Sequence, residues 1–421
     1  MKKPFRRFPH GTWSLAAVAA LAGAASVAGP GSIGFAAGSP VSSDPVFQAL
    51  LTDGRTLAGR LVSFDAGGIT LATEAGAKEE LPLGRLVKLT RDAAPAVPAW
   101  EDAQAVILAQ GDRLMRVAVG TANETRLEIR SELLGKLEIP LDCLLGLILA
   151  APGQAGAYDA RWDQVVAEPR SSEVVWLANG DRLAGSFLGM DDRKIKMQIE
   201  GKPVEVDRSG AVAIGFDSGL VNYPRPKTDF LEATLNDGTR LGITTAKLAE
   251  GTIHATTRFG QAVRFALGDL ARVHARTAAV LYLSERKPVD ARYISFIGPP
   301  RPFRTDRTVD GHPFQLAGQT FDRGIGTQSR TLLAYRIEPG DRRFQSLVGV
   351  DERAGPLGSV VFRVLVDGKP RYQSPPLTDR DAPKAIDLDL SGGRFLILAT
   401  EFGDRGDVRD LADWIEARII R

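Results

Sequence analysis

Four aspartates near the end of the 421-residue chain recur at every third position: Asp404, Asp407, Asp410 and Asp413. Several carboxylate oxygens supplied by one loop are the ligands that a hard cation such as calcium takes. The spacing therefore suggests a metal site, with calcium as the one cofactor that the sequence indicates. The structural alternative is that these side chains accept hydrogen bonds from nearby backbone amides and cap turns. Both interpretations stay open at the level of the sequence.

Motifs that would make the protein an enzyme are not found. The sequence has no Gly-x-Ser-x-Gly, no His-Glu-x-x-His and no glycine-rich phosphate loop. A glycosidase needs two carboxylates across a cleft, and the sequence alone identifies no such pair. The single cysteine, Cys143, excludes an intrachain disulfide framework and a cysteine-based zinc site. We therefore expect a protein without catalytic activity.

The first 38 residues have the layout of a secretory signal peptide. A positive start is followed by an Ala- and Gly-rich run, Trp13 to Gly29, and then by small residues. Cleavage after Ala36, Ala37 or Gly38 would fit this layout, and an uncleaved N-terminal membrane anchor is the alternative. We expect export to the periplasm, the cell surface or the extracellular medium. No later segment is apolar enough to suggest a transmembrane span after signal removal.

The charge balance argues against a nucleic-acid partner. The chain has 53 Lys and Arg, 51 Asp and Glu, and a formal net charge of +2. Removal of residues 1–38 takes away Lys2, Lys3, Arg6 and Arg7 and no acid, so that the net charge becomes −2. A mature chain of that sign has no general attraction to nucleic acid or to anionic lipid.

One short pattern occurs four times between residues 44 and 276. In each copy a Gly next to Asp or Asn is followed by Leu three residues later, and the four glycines are Gly54, Gly111, Gly180 and Gly238. Their spacings of 57, 69 and 58 residues indicate repeated small units. Gly, Asp and Asn tolerate the positive φ angles of tight hairpins. The pattern therefore predicts one such hairpin in each unit.

Apolar and polar residues alternate with period two around these turns, which indicates half-buried strands. Five short strands in about 45 residues suit a small SH3-like or Sm-like barrel, which closes its own sheet edges. We predict four such barrels, at residues 44–92, 101–150, 172–217 and 228–276. The longest linker lies between the second and third units. The barrels are therefore expected to pair as one with two and three with four.

The first unit, Val46 to Asp65, resembles the first motif of the Sm family, whose members bind RNA. The Asn that the family places shortly after the Asp is missing after Asp65, and the family's Arg-Gly pair is missing near Leu83 to Leu89. The resemblance therefore extends to the fold and not to an RNA site.

The last third of the chain carries a more specific set of motifs. Among them are Phe321-Asp322-Arg323-Gly324-Ile325-Gly326-Thr327, Val348-Gly349-Val350-Asp351, Val366-Asp367-Gly368-Lys369 and Asp410-Leu411-Ala412-Asp413-Trp414. Over residues 278–421 the chain resembles the NPCBM family, carbohydrate-binding modules first noted at the ends of glycoside hydrolase family 98 enzymes. The resemblance implies a jelly-roll β-sandwich that binds sugar, with galactose-type ligands known in the related family 51 modules.

The residue pattern supports a sandwich independently of the resemblance. Inward candidates Val360, Phe362 and Val364 alternate with the residues between them, and an Asp-Gly turn follows. Alternation, Gly/Asp turns and the near absence of helical patterning favour two packed sheets. The predicted fold is therefore all-β, with four small barrels followed by a jelly-roll sandwich.

The resemblance also indicates which residues would face a ligand. Gln328 stands two residues after Gly326, and Leu411 follows Asp410, at two positions where the family usually has His. Gln328 can donate and accept hydrogen bonds, whereas Leu411 can do neither. The predicted carbohydrate-binding residues are Gln328, Asp351 and Trp414. For Trp414 the alternatives are stacking on a sugar ring and a place in the core.

The sequence supports two hypotheses about function. The first is an exported, non-catalytic protein whose C-terminal module binds carbohydrate, as an accessory to glycoside hydrolases would. The second is a structural or protein-interaction scaffold of the cell envelope, with envelope proteins as partners and a sugar site degraded by the loss of both His residues. A polar groove with an exposed aromatic near Gln328 and Trp414 would favour the first.

Overall fold

Strands dominate the part of the chain that the computed structural model describes, which comprises residues 45–65, 67–92, 103–149, 157–167, 169–296, 299–404 and 406–421. The predicted all-β class is confirmed, since a single α-helix accompanies 34 strands in these ranges. No helix in the same ranges has the length and apolar character needed to cross a bilayer. The predicted signal peptide, residues 1–38, lies outside the described residues.

Four consecutive segments repeat one order of elements, in which a one-turn 3-10 helix precedes the last strand. Segment one contains β1 (Val46–Leu51), β2 (Thr56–Asp65), β3 (Gly68–Ala72), β4 (Lys78–Pro82) and β5 (Leu86–Arg91). Segment two contains β6 (Ala105–Leu108), β7 (Arg113–Met115), β8 (Val117–Ala122), β9 (Arg126–Ser131), β10 (Gly135–Pro140) and β11 (Leu144–Ile148). It has one strand more because Arg116, with a φ of 51°, interrupts the strand between β7 and β8.

The third and fourth segments follow helix α1 (Ala157–Ala167). Segment three contains β12 (Glu173–Leu177), β13 (Arg182–Met190), β14 (Lys194–Ile199), β15 (Lys202–Asp207) and β16 (Ala211–Gly215). Segment four contains β17 (Phe230–Leu235), β18 (Arg240–Ala249), β19 (Thr252–Thr257), β20 (Ala262–Ala266) and β21 (Leu270–Arg276). In every segment the first strand pairs antiparallel with both the second and the last strand. Whether each segment closes as a separate barrel stays a prediction.

The Gly-containing turns connect the first two strands of their segments. Gly54 and Gly238 have φ angles of 86° and 89°, which only a residue without Cβ adopts readily. Each amide donates back to the end of the preceding strand, to the carbonyl of Leu51 and of Leu235 respectively, at 3.0 Å. The repeated Gly therefore marks a turn whose backbone conformation requires it.

The segments associate through their last strands in an order that differs from the expected one. Strand β5 of segment one pairs with β21 of segment four, with Leu89 opposite Val273. Strand β11 of segment two pairs with β16 of segment three, with Leu147 opposite Ile214. The expectation of one-two and three-four pairing is wrong, because linker length measures separation along the chain and not which strand edges are left to pair.

Helix α1 lies in the segment predicted to be the linker between the second and third units. Trp162 and Val165, three positions apart, are buried and belong to an apolar cluster with Ile148 of β11 and Trp176 of β12. Helix residues three apart share one face, so α1 covers the contact between segments two and three.

The remaining strands form the C-terminal sandwich. They are β22 (Val280–Tyr282), β23 (Asp290–Tyr293), β24 (Arg304–Thr305), β25 (Phe314–Leu316), β26 (Gln319–Phe321), β27 (Gly324–Thr327), β28 (Thr331–Arg336), β29 (Arg343–Val350), β30 (Val360–Val366), β31 (Lys369–Gln373), β32 (Lys384–Asp389), β33 (Phe395–Phe402) and β34 (Ala412–Ile420). One sheet has the order β24-β27-β34-β29-β32 with β22 also on β34, and the other has the order β23-β28-β33-β30-β31. Tyr335, Phe344, Phe362 and Trp414 from both sheets fill the core between them.

Buried charged side chains join the strand segments to the sandwich. Arg323, just before β27, donates from Nη2 to both carboxylate oxygens of Glu232 on β17, at 2.9 and 2.8 Å. Both side chains are almost completely buried, with 3% and 4% of their surface exposed. Glu416 on β34 accepts a hydrogen bond from Lys88 on β5 at 2.7 Å and lies 3.3 Å from His274 on β21.

The electrostatics of this junction depend on both parts being present. Burial alone would raise the pKa of Glu232, but Arg323, Arg240 and Arg276 hold that pKa well below its ordinary value. Burial lowers the pKa of His274 to about 4, so this imidazole is neutral at neutral pH. An apolar cluster adjoins these groups and consists of Val87, Val280, Tyr282 and Ile420. Because a charge removed from water needs a close partner, the segments and the sandwich can bury these groups only together.

We expect Glu232→Gln to lower the free energy of unfolding by about 3 kcal/mol, because Arg323 and Arg240 would stay buried and Arg323 would keep only the partly exposed Glu285 as a counter-charge. Denaturant unfolding followed by circular dichroism measures the loss. The matched control is Glu138→Gln, whose partner Arg126 lies 3.0 Å away in an exposed pair; its loss should stay below about 1 kcal/mol. Equal losses in the two variants would show that the Arg323–Glu232 pair does not hold the junction.

Candidate functional site

Hydrogen bonds join the loops at one end of the sandwich. Gln328 follows β27, and an acidic loop connects β33 to β34. The Gln328 amide donates from Nε2 to the Asp407 carbonyl oxygen at 3.1 Å. Ser329 donates from Oγ to Asp410, which also accepts from the Ser359 backbone amide at 2.9 Å. The segment after β27 therefore has a fixed position against the acidic loop.

An exposed aromatic side chain, Phe296, stands beside these loops with 68% of its surface exposed. Its backbone amide donates to Asp407 Oδ2 at 2.8 Å, and its ring meets the Phe402 ring edge-on with 5.8 Å between centroids. Gly406 has a φ of 67°, and a Cβ there would lie 3.1 Å from the Phe296 ring. The ring is thus supported from within the protein while much of its surface faces solvent.

The surface next to Phe296 is polar. A shallow depression of about 10 Å³ is lined by Tyr293, Arg301, Gln328 and Arg330, among others. Gln328 is half-buried, and its Oε1 accepts no hydrogen bond from the described residues. An aromatic face beside amide and guanidinium groups is chemically complementary to a sugar ring, which presents both C–H groups and hydroxyls.

The structure corrects the prediction that Trp414 contacts a sugar. Trp414 has no exposed surface. Its ring packs edge-on against Phe362 at 5.2 Å between centroids, and its Nε1 donates to Thr400 Oγ1 at 3.1 Å. Trp414 is therefore a core residue. The exposed aromatic near Gln328 is Phe296, which could not be predicted because no local sequence pattern distinguishes an exposed Phe in a loop from a buried one.

Asp351 also lies inside the domain, with no exposed surface. Its carboxylate accepts hydrogen bonds from the backbone amides of Arg353 and Gln315 at 2.9 and 2.8 Å, so it orders the backbone and does not face a ligand. Asp413 is buried beside it, and neither Asp413 carboxyl oxygen receives a hydrogen bond from a described residue. Burial first, and the Asp351 charge second, raise the pKa of Asp413 well above its ordinary value. Asp413 can therefore keep a proton in the folded state and donate it to Asp351.

The four aspartates of the suggested calcium site have separate partners. Asp404 is exposed, Asp407 and Asp410 accept hydrogen bonds from backbone amides, and Asp413 adjoins Asp351. Throughout the described ranges, no three acidic, His or Cys side chains are grouped so that they could hold a metal ion. The structure thus does not bring the four carboxylates together as one calcium site, and it gives two of them the backbone-binding role.

The two positions without the expected His differ in environment. Gln328 is half-buried at the surface, and hydrogen bonds place it against the loop that also holds Phe296. Leu411 is 5% exposed and belongs to the apolar core of the sandwich. A ligand could therefore contact Gln328, whereas the residue at position 411 affects packing.

Residues 280–420 match the family model described as the NPCBM/NEW2 domain, so the family indicated by the sequence motifs is confirmed for this part of the chain. A curated protein of Renibacterium salmoninarum, named "Putative endo-alpha-N-acetylgalactosaminidase", is 26% identical over 159 residues. The match covers 35% of this chain and spans only 10% of that protein.

Two solved structures from Clostridium perfringens are also similar to the chain. One is CBM51 from GH95 in complex with methyl-galactose, at 25% identity and a TM-score of 0.31, covering 33% of this chain and 99% of that chain. The other is CBM51-2 in complex with GlcNAc, with the INT domains of ZmpB, at 24% identity and a TM-score of 0.31. It covers 42% of this chain and 40% of that chain.

The Asp351–Asp413 pair predicts a pH-dependent stability. A carboxyl whose folded pKa is raised binds a proton that the unfolded chain has released, so its contribution to stability falls as pH rises above about 4. Asp413→Asn replaces it by a neutral amide that can still donate to Asp351. The stability of the variant relative to wild type should therefore rise by up to about 1.4 kcal/mol per pH unit from pH 4 upward, until the folded pKa is reached.

Urea unfolding of both proteins between pH 4 and 7 measures this difference. The control Asp404→Asn changes an exposed aspartate of the same loop and should leave the free energy of unfolding within about 0.5 kcal/mol of wild type. A flat pH profile for Asp413→Asn would mean that Asp413 is ionised in the folded protein.

Proposed function

We propose that the NPCBM/NEW2 domain at residues 280–420 binds carbohydrate at the surface around Phe296, Gln328 and Arg330. The observation that carries the proposal is the Phe296 ring, held by Phe402 and Asp407 and 68% exposed. A large aromatic surface that is fixed from below and open to solvent is a stacking platform for the C–H face of a sugar.

Polar groups beside the ring would supply orientation. The Gln328 Oε1 accepts no hydrogen bond from the part of the chain that the structure describes, and the side chain is fixed by its bond to the Asp407 carbonyl, so it can accept a hydrogen bond from a sugar hydroxyl without first being ordered. Arg330 lies 2.6 Å from Glu401, and both side chains are partly exposed. A small number of preplaced polar groups beside an apolar surface is the usual composition of a small-molecule site.

The proposed ligand is a neutral sugar of the galactose type. This choice is supported by the resemblance to family 51 modules and by the galactosaminidase name of the Renibacterium relative. The proposed role is binding without catalysis, since Asp407, the acid closest to Phe296 in the hydrogen-bond network, has its carboxylate engaged by a backbone amide. Export, to the periplasm, the cell surface or the medium, is part of the proposal because of the layout of residues 1–38.

The test is a glycan array followed by calorimetry with the full chain. Methyl galactoside and N-acetylgalactosamine should bind the wild type, and Phe296→Ala should weaken binding about tenfold, or about 1.4 kcal/mol, because the stacking surface is lost. Gln328→Ala should weaken binding less, because it removes a single hydrogen bond.

The matched control is Phe395→Ala. Phe395 is also exposed, at 37%, and stands at the opposite end of β33 from Phe402. This variant should bind sugar as wild type does. A folded protein that binds no sugar on the array, or equal losses in Phe296→Ala and Phe395→Ala, would contradict the proposal.

A further inference from the structure

A cavity of about 610 Å³ lies where the strand segments meet the sandwich. Segment two contributes Gly111 and Arg113, segment four contributes Phe230 and Arg240, and the C-terminal part contributes Arg307. A cavity of this size is within the range of small-molecule sites. It is separate from the Phe296 surface, with which it shares no lining residue.

The lining of this cavity carries an excess of positive charge. Of the described residues that line it, seven are arginines and five are Asp or Glu. Three arginines are each paired with an acid at 2.5 to 2.9 Å, in the pairs Arg323–Glu232, Arg113–Asp322 and Arg276–Glu285. The excess must therefore be carried by the arginines outside these pairs.

Arg240 is a buried arginine of this lining that is not a member of these three pairs. Its side chain is 5% exposed, and its Nε donates to the Gly111 carbonyl oxygen at 2.7 Å. Its nearest carboxylate is Glu232 at 3.9 Å, which Arg323 already engages through both oxygens. The two Nη groups of Arg240 donate no hydrogen bond to any described residue. A buried guanidinium with unused donors that lines a cavity indicates a bound anion.

Two further observations point in the same direction. Among the described residues the acidic partner of Arg307 is Asp163, at 3.8 Å, which is shared with Arg304 at 3.2 Å, and the Arg307 guanidinium also lies over the Trp162 ring, 5.8 Å from its centroid. Burial lowers the pKa of Arg113, the charge of Asp322 opposes this effect, and the charges of Arg240 and Arg307 lower the pKa further. The three arginine charges therefore act on one another in this part of the cavity, and an anion bound there would be attracted by each of them.

We infer that this cavity binds a small molecule that carries an oxyanion group, with Arg240 and Arg307 as the groups that recognise the charge. The volume is far larger than one inorganic ion fills, so the oxyanion belongs to a larger body such as a sugar ring. Phe230 and Trp162 provide apolar surface on the cavity wall for that body. Uronic acids, sulfated sugars and phosphorylated sugars share this chemistry.

Calorimetry with the full chain tests the inference. The probes are glucuronate, galactose 6-sulfate and glucose 6-phosphate, with inorganic phosphate alone and methyl galactoside as the comparison ligands. At least one anionic sugar should bind the wild type with one-to-one stoichiometry, more weakly at high salt, and the probe that binds identifies the anionic group. Phosphate alone binding as tightly as the best anionic sugar would contradict the inference.

The variants are Arg307→Ala, on the partly exposed rim, and Arg240→Met, in the buried wall. Each should weaken binding of the anionic sugar about tenfold or more, because a charge-assisted hydrogen bond is lost. Arg126→Ala, an exposed arginine of segment two, should leave binding unchanged. Absence of binding by any anionic sugar to the folded wild type, or unchanged binding in the folded Arg307→Ala variant, would overturn the inference.

The two sites can be tested independently. Phe296→Ala should leave the anionic sugar bound as in wild type, and Arg307→Ala should leave methyl galactoside binding unchanged. Loss of the anionic ligand in Phe296→Ala would contradict a separate cavity site, whereas failure of methyl galactoside to bind the wild type would contradict only the proposed function of the sandwich surface.

Discussion

The burial of the Arg323–Glu232 pair is the constraint on which the arrangement of the protein depends. Each of these two side chains is almost completely buried, and their contact offsets part of the cost of removing both charges from water. One of them belongs to the sandwich and the other to segment four, so separating the two parts would break this buried pair and expose an apolar surface. The neighbouring contacts of Glu416 with Lys88 and His274 extend the same dependence to the last strand of the sandwich.

The junction also creates the cavity, because its walls come from both parts. If the strand segments were independent spacers on flexible linkers, the arginines around the cavity would be solvated and would not indicate a binding site. Fixed in place, they form a positive enclosure in a chain whose overall charge is close to neutral. The exposed Phe296 surface belongs to a different region of the sandwich, so the two candidate sites can act without competing for the same residues.

How far the sequence predicts this structure depends on the kind of signal. The Gly-containing turns and the period-two alternation predict local strands well, because positive φ and one-sided burial act within a few residues. The pairing of β5 with β21 has no such local signal, and linker lengths indicated a different order. Helix α1 was not predicted, because the residues just before it are rich in Pro, Gly and Ala. Trp162 and Val165 nevertheless lie on one face of the helix.

The same difference between local and long-range signals applies to the candidate site. The family motifs point to the loops around Gln328, which stay a prediction, but residue type alone could not tell that Trp414 and Asp351 are buried and that Phe296 is exposed. Burial is set by which sheet face a residue joins, and that depends on contacts distant in sequence. The contact between Glu232 and Arg323 could not be predicted either, because the two residues are 91 positions apart and each has the residue type of an ordinary surface residue.

Differential scanning calorimetry of the wild-type chain tests most directly whether the segments and the sandwich form one unit. If the buried charges can exist only in the docked state, both parts unfold in one cooperative transition, with calorimetric and van't Hoff enthalpies that agree. Two separate transitions, with the sandwich melting independently of the strand segments, would contradict the account.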